Sequence, residues 1–328
     1  MIEGIPSKDN LMKSIDRTSR LCWNYPISSS RIEEWINQFD GSSLGDAEEE
    51  QVLALLLLNN FVFYSQKEVR FLCKEIFDEF IHYFADMENI KGSITDFKKD
   101  IINNTIFVPI GNPSESSANL LYYFRQENSI PKNRFTYLGD LLEDNAANLI
   151  ENRSVTQKVL NNYENIVFID DVTLSGSQIT RFVSSQKAKI KALSEKKIFF
   201  LPLIATDIAI KKINEIKDLK IIILPGIELS QRDTCFSEVS YIFQNNSIAK
   251  EKCEIMLKYY NDKFQFEEKF LGFNNGNLAL GFFYNIPNNS LPIYWIENDS
   301  YKGMFPRNDK LYTKEYVGVI NDGTRKYF

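Results

Sequence analysis

The sequence predicts an α/β protein built on a parallel sheet, and three observations lead there. Short apolar runs at 106–110, 166–169, 198–205 and 221–224 lack polar alternation, the pattern of strands buried on both faces. Helix-like segments separate these runs, which is the rhythm of β-α-β units. The pattern changes at Thr105 and again after Pro225. These shifts divide the chain into a helical N-terminal region (1–104), an α/β core (105–226) and a C-terminal α+β region (227–328).

In the first region, residues 48–64 open with acids and turn into a dense apolar block, as suits a helix. Val69, Leu72, Ile76, Phe80 and Phe84 recur at helical spacing. His82 shares the polar face of that second helix with Asp78 and Glu75, and reads as a solvated surface histidine. In the core, the run at 106–110 is followed by Gly111-Asn112-Pro113-Ser114 and a helix over 117–126. The run at 166–169 ends on Asp170-Asp171 and leads into a helix over about 176–193, and a further helix over 207–216 separates the last two runs. The link 135–163 is ambiguous: 135–138 reads as a strand, and the polar stretch after it as helix or loop. Beyond Pro225, residues 247–264 read as a helix capped by Ser247, with strands at 278–284 and 292–295 around the turn 285–290.

Composition narrows the chemistry. Apolar residues make up 44% of the 328 positions, and 25 Phe with 16 Tyr supply more aromatic surface than a disordered chain carries. A net charge of −6 argues against indiscriminate nucleic-acid binding, although a local basic cleft remains compatible with it. The single histidine excludes zinc sites and metalloprotease motifs that need two. Cys22, Cys73, Cys235 and Cys253 form no close pair and read as reduced core thiols. The N-terminus lacks the basic flank and apolar stretch of a signal peptide, and the longest apolar run, 52–58, is far short of a membrane span. The expectation is a soluble, cytoplasmic protein without membrane contact.

The segment 166–177, Ile-Val-Phe-Ile-Asp-Asp-Val-Thr-Leu-Ser-Gly-Ser, carries most of the chemical information. A parallel strand delivers two carboxylates at its C-terminal end, where open α/β sheets bind ligands. A hydroxyl-and-glycine turn entering a helix then aims backbone N–H groups at one spot, an arrangement that holds a phosphate. Acids beside a phosphate cradle need something else to face, such as sugar hydroxyls or a metal, so the pair points to a phosphorylated sugar. Strand-terminal acids also occur in P-loop nucleotidases, but the chain contains no GxxxxGK[ST]. Receiver domains place their acids near the domain start and lack this turn. An acidic strand end without function stays an alternative.

This segment resembles the fingerprint of type I phosphoribosyltransferases, which use 5-phosphoribosyl 1-diphosphate, and the resemblance spans roughly 105–226. Its Gly-Ser turn at 111–117 occupies the place of that family's diphosphate loop. The flanks, including 285–295 and Phe305-Pro306-Arg307, are similar to divergent phosphoribosyltransferase-like proteins of bacterial conflict systems, among them those accompanying retrons. The resemblance implies a Rossmann-like parallel sheet of the type I phosphoribosyltransferase kind. It implies that Asp170 and Asp171 bind the ribose hydroxyls, directly or through Mg²⁺, as the catalytic and metal pair. Thr173, Leu174, Ser175, Gly176 and Ser177 would receive the 5′-phosphate. Gly111, Asn112, Ser114 and Ser116 would receive the diphosphate with Mg²⁺.

Two positions depart from the family: Leu174 stands where purine-salvage members often carry an acid, and Gln178 where the turn commonly ends in Thr or Ser. The acceptor therefore does not carry over. Lys132, Arg134, Arg153 and Lys158 are candidates for a basic residue on a closing loop. Arg307 is a candidate phosphate contact or salt-bridge partner. Lys187, Lys189, Lys191, Lys196 and Lys197 sit near a helix C-terminus, where cations favour the dipole. The functional expectation is a phosphoribosyltransferase acting as a toxic effector of an antiphage system. Its regulator would be a reverse transcriptase and its nucleic-acid product, and homo-oligomer formation is left open. The alternatives are a non-catalytic sensor of the diphosphate donor or a nucleotide, and a metabolic base-salvage enzyme.

Overall fold

A computed structural model of the chain describes residues 4–87, 89, 94–110, 116–137, 163–177, 179–181, 196–217, 219–243 and 246–307. The chain enters through α1 (Lys8–Leu21), α2 (Ser29–Ile36) and α3 (Ala47–Asn59). Ser7, Ser28 and Asp46 cap them by accepting bonds from first-turn amides. Residues 53–58 of α3 are all buried, so this helix runs through a core rather than over one. Glu50 is buried with them. Its Oε1 accepts from the amides of Ser43 (2.8 Å) and Leu44 (2.7 Å), and its Oε2 from that of Gly41 (2.7 Å) and the Tyr260 hydroxyl. The loop before α3 thus replaces water around the carboxylate.

The helix expected over 48–64 stops at Asn59, and Val62–Tyr64 forms β1. An apolar block does not distinguish helix from strand by itself, and this short strand exists because a distant segment pairs with it. Next, α4 (Gln66–Met87) starts on a capping box in which Ser65 Oγ accepts from the Glu68 amide while the Glu68 carboxylate accepts from that of Ser65. Val69, Leu72, Ile76, Phe80 and Phe84 are its buried stripe, and His82 is exposed.

The sheet follows. After α5 (Ile94–Asn103) come β2 (Thr105–Pro109), α6 (Ser116–Glu127), β3 (Asn165–Thr173), β4 (Lys197–Thr206), α7 (Asp207–Asn214), β5 (Ile221–Ile223) and β6 (Ile227–Leu229). The order is β2-β3-β4-β5, all pairs are parallel, and β6 continues the edge along β4. Phe107, Val167, Ile169, Phe199 and Leu201 face α4 and α6. The intervening Ile106, Val108, Ile166, Phe168, Ile198 and Phe200 face Ile179 and Ile213 on the other side. Burial on both faces is why these strands read as unbroken apolar runs.

Pro202 sits inside β4, where a missing N–H would ordinarily break a ladder. Its carbonyl accepts from Gly226 (3.1 Å), so its nitrogen faces the interruption between β5 and β6, where the ladder is already broken. Gly226 is required there, because a Cβ would meet Ile76 Cγ2 at 2.7 Å and the Leu203 carbonyl at 2.9 Å. The expected strand at 135–138 reduces to one bridge between Phe135 and Phe107, and Leu138 lies outside the described residues.

In the last region, α8 (Ser247–Lys263) is capped by Asn246, whose Oδ1 accepts from the Ala249 amide (2.9 Å), not by Ser247. β7 (Leu280–Phe282) lies parallel to β1. The strand expected at 292–295 is instead a 3-10 turn, Pro292–Tyr294, since Pro at its first position fixes a helical φ. Residues 11–63 and 235–305 share one core: Phe305 stacks on Phe61 (4.8 Å) and Phe63 (5.6 Å), and Trp23 packs against all three rings. Cys73, Cys235 and Cys253 are buried and free, whereas Cys22 is exposed beyond the end of α1 and is not a core thiol. Among the described residues no helix is long and apolar enough to cross a membrane.

Candidate functional site

The acid pair lies near the C-terminal end of β3 but inside it: the strand continues through Val172 to Thr173, beyond the apolar run that predicts it. Asp170 pairs in register with Pro202 and Val172 with Ile204, whereas pairing with β2 ends at Ile169, so the carboxylates stand beside β4 just past the end of β2, 4% and 6% exposed. Strand alternation sends them to opposite faces. Asp170 follows Ile166 and Phe168, while Asp171 follows Val167 and Ile169 on the α4 side. Asp170 Oδ1 accepts from the Asp171 amide (3.1 Å), and Asp171 Oδ1 from the Val172 amide (2.9 Å). Tyr284, in the turn after β7, donates its hydroxyl to Asp171 Oδ2 at 3.2 Å. Burial, together with the adjacent Asp171 carboxylate, pushes that phenol well above its ordinary value, so it stays a donor.

The turn after β3 is shaped by Gly176, whose φ of +61° lies in the left-handed region. A helical turn starts directly after it, with Thr180 donating its amide (3.0 Å) and its hydroxyl (2.7 Å) to the Gly176 carbonyl. Ser175 and Ser177 bring their hydroxyls to 2.9 Å, and the Ser177 amide donates to Ser175 Oγ at 3.3 Å. The neighbouring strand fixes the turn from below. Thr206 Oγ1 donates to the Leu174 carbonyl (2.7 Å) and accepts from the Ala209 amide (3.1 Å), so one hydroxyl ties the turn to the start of α7. Lys212, in the last turn of α7, donates Nζ to Ser177 Oγ (3.2 Å) and brings a positive charge to the loop.

Buried carboxylates thus lie beside a loop of hydroxyls and amides with a cation at its rim, all at the ends of parallel strands. A family model, PRTase-CE, matches residues 32–307. The chain belongs to the PRTase-CE family. It is a phosphoribosyltransferase-like protein, and its α/β sheet is the fold that reading requires. The PRTase-CE match runs from α2 to Arg307 and so takes in both flanks as well as the sheet. No curated protein matches the chain.

The fold brings Asp170, Asp171, Thr173, Leu174, Ser175, Gly176 and Ser177 of this PRTase-CE chain into one neighbourhood. Ser116 opens α6, while Gly111, Asn112 and Ser114 lie outside the described residues. The start of their loop is positioned, since the Ile110 amide donates to the Ile169 carbonyl (3.1 Å) one residue before the acids. Leu174 packs its side chain with the apolar cluster on the α4 side, leaving no acid where salvage enzymes often have one.

Of the loop-lysine and arginine candidates, Arg134 is committed elsewhere. It donates to the Asn103 carbonyl (2.9 Å) and Oδ1 (3.0 Å), and its guanidinium lies over the Tyr163 ring. Lys132 shares the same 3-10 turn, and Arg153 and Lys158 fall outside the described residues. Arg307 lies over the Trp295 ring (4.8 Å) and donates to Asn285 Oδ1 (3.2 Å). Lys197 begins β4 with its ammonium over Phe84 (5.3 Å), and Lys196 precedes it. Lys187, Lys189 and Lys191 fall outside the described residues.

Sequence reasoning missed Tyr284, Thr206 and Lys212. Thr206 carried a local signal as a hydroxyl before Asp207, the usual sign of a helix cap, but nothing local linked the other two to the acids.

Among the described residues no group of three or more His, Cys, Asp or Glu is placed to hold a metal. Two carboxylates on opposite faces of a strand do not chelate one ion together, so a hard cation such as Mg²⁺ would take one of them at most and draw its other ligands from phosphate oxygens and water.

Proposed function

We propose that this protein binds 5-phosphoribosyl 1-diphosphate with Mg²⁺ and transfers its phosphoribosyl group, acting as a toxic effector of a retron-type antiphage system. The observation that carries the reading is the continuity of β3 with its turn: buried Asp170 and Asp171, then a hydroxyl-rich loop opened by a left-handed glycine. A sugar phosphate presents hydroxyls and a phosphate at a separation that such a strand end and loop can meet together. In the transfer, the bond from C1 to the diphosphate oxygen breaks and an acceptor lone pair forms the new bond at C1. Asp170 and Asp171 orient the ribose through its hydroxyls, while the loop and Lys212 hold the 5′-phosphate. Mg²⁺ brought in with the diphosphate would supply charge neutralisation for the leaving group, which the acidic strand end alone would repel. The effector role rests on the similarity of the flanks to conflict-system proteins. A reverse transcriptase with its nucleic-acid product is the regulator it implies.

One observation favours a second reading, a sensor that binds the donor without turnover. The partly buried Leu174 side chain is a hydrocarbon packed against the apolar cluster, so this position of the turn offers no proton acceptor to an incoming base. Incubating pure protein with the donor and Mg²⁺, with candidate acceptors and the natural partner supplied, separates the two by diphosphate release. Transfer predicts release that is lost in Asp170→Asn/Asp171→Asn. Tight binding without release would establish the sensor. Expressed without its regulator, the wild-type effector is expected to arrest growth and the double variant to be harmless; benign wild type would end the effector role.

A further inference from the structure

We infer that Tyr284 is a positioning residue of the donor site, so that the C-terminal region sets the orientation of the carboxylate that reads the ribose. The inference rests on the proposed donor site and adds a residue from outside the β3 segment. Tyr284 is held independently of Asp171. The turn carrying it is closed at both ends by reciprocal bonds between Phe282 and Asn285 (2.8 and 3.1 Å). Its ring stacks on Phe282 (5.4 Å, 12° between planes) and meets the edge of Phe283 (4.9 Å). Phe282 in turn stacks on Tyr64 (5.3 Å), and the Phe283 amide donates to the Tyr64 carbonyl (2.9 Å), which locks the turn onto β1.

A phenol fixed in this way offers its proton at one place, and that place is Asp171 Oδ2. With the Val172 amide on Oδ1, each carboxylate oxygen carries a donor, and the group is held in a single orientation. A carboxylate left to rotate would have to be ordered at binding.

The test is calorimetric titration of wild type and Tyr284→Phe with the donor plus Mg²⁺, with ribose 5-phosphate, and with inorganic diphosphate plus Mg²⁺, alongside thermal melting. Phenylalanine keeps the ring stack and deletes only the donor. The expected result is about tenfold weaker binding of the two ribose-bearing ligands, unchanged diphosphate binding and a melting temperature lowered only by the loss of one buried hydrogen bond. Tyr294→Phe serves as the control, because its hydroxyl is buried without a hydrogen-bond partner among the described residues and lies outside the site; its ligand binding should match wild type. Equal donor affinity in wild type and Tyr284→Phe would overturn this inference and leave the donor site standing. A uniform loss across all three ligands would make Tyr284 a structural residue and overturn it as well. Wild type that binds neither ribose ligand would overturn the donor site and this inference with it.

Discussion

Gly176 serves the backbone twice. Its φ of +61° is costly for any residue with a Cβ, and the added carbon would lie 3.2 Å from the Ala209 carbonyl and 3.3 Å from Ile213 Cγ1. The residue therefore shapes the turn and lets α7 pack against it, beyond any approach to phosphate. Gly176→Ala is expected to lower stability by about 1–3 kcal/mol, read as a fall in melting temperature without ligand. An unchanged melting temperature would mean that the loop adopts another conformation. The acids should behave differently. Asn in place of Asp keeps an oxygen for the amides of Asp171 and Val172, so the fold is expected to survive where ligand binding does not. At this scale the acid pair and turn were legible in the sequence, because their chemistry sits in one uninterrupted segment. Tyr284 was not, since its relation to Asp171 exists only after β7 has packed against β1.

At the scale of elements, the site depends on how the β3 turn is tied to its neighbours. Thr206 Oγ1 is the link, capping α7 with one lone pair and donating to Leu174 with its proton. Thr206→Val keeps the shape and removes both bonds, at an expected cost of about 1–2 kcal/mol. Thr206→Ser should recover most of it. Hydrogen exchange should quicken at the Ala209 amide in the valine variant; protection equal to wild type would show that the cap is dispensable. The four long apolar runs were legible as strands because burial on both faces leaves no polar alternation to confuse them. β1 was folded into a helix because Val62–Tyr64 continues the apolar block of α3 and its pairing partner lies far along the chain. Likewise Pro292-Ile293-Tyr294 has strand-like composition, but proline at its head starts a 3-10 turn.

At the scale of the molecule, the two flanks meet in one core while α4 packs on the sheet, so packing passes from Trp23 and Phe305 through β1 and β7 to the acids. Thiol chemistry provides a readout of that core. Burial pushes the Cys73 thiol up to about 12 and raises those of Cys235 and Cys253, which keeps all three neutral and enclosed at neutral pH. Only exposed Cys22 should react quickly with iodoacetamide in the native protein, and the others only on unfolding. Fast labelling of Cys235 or Cys253 in the native state would contradict the shared core.

The most direct test of the account is titration of 5-phosphoribosyl 1-diphosphate with Mg²⁺ into wild type and into Asp170→Asn/Asp171→Asn at matched melting temperature. Wild type is expected to bind saturably at one to one, and the variant to lose at least a hundredfold from about 1.5–3 kcal/mol per charge-assisted bond. Equal affinities in the two proteins, or no binding by wild type, would contradict it.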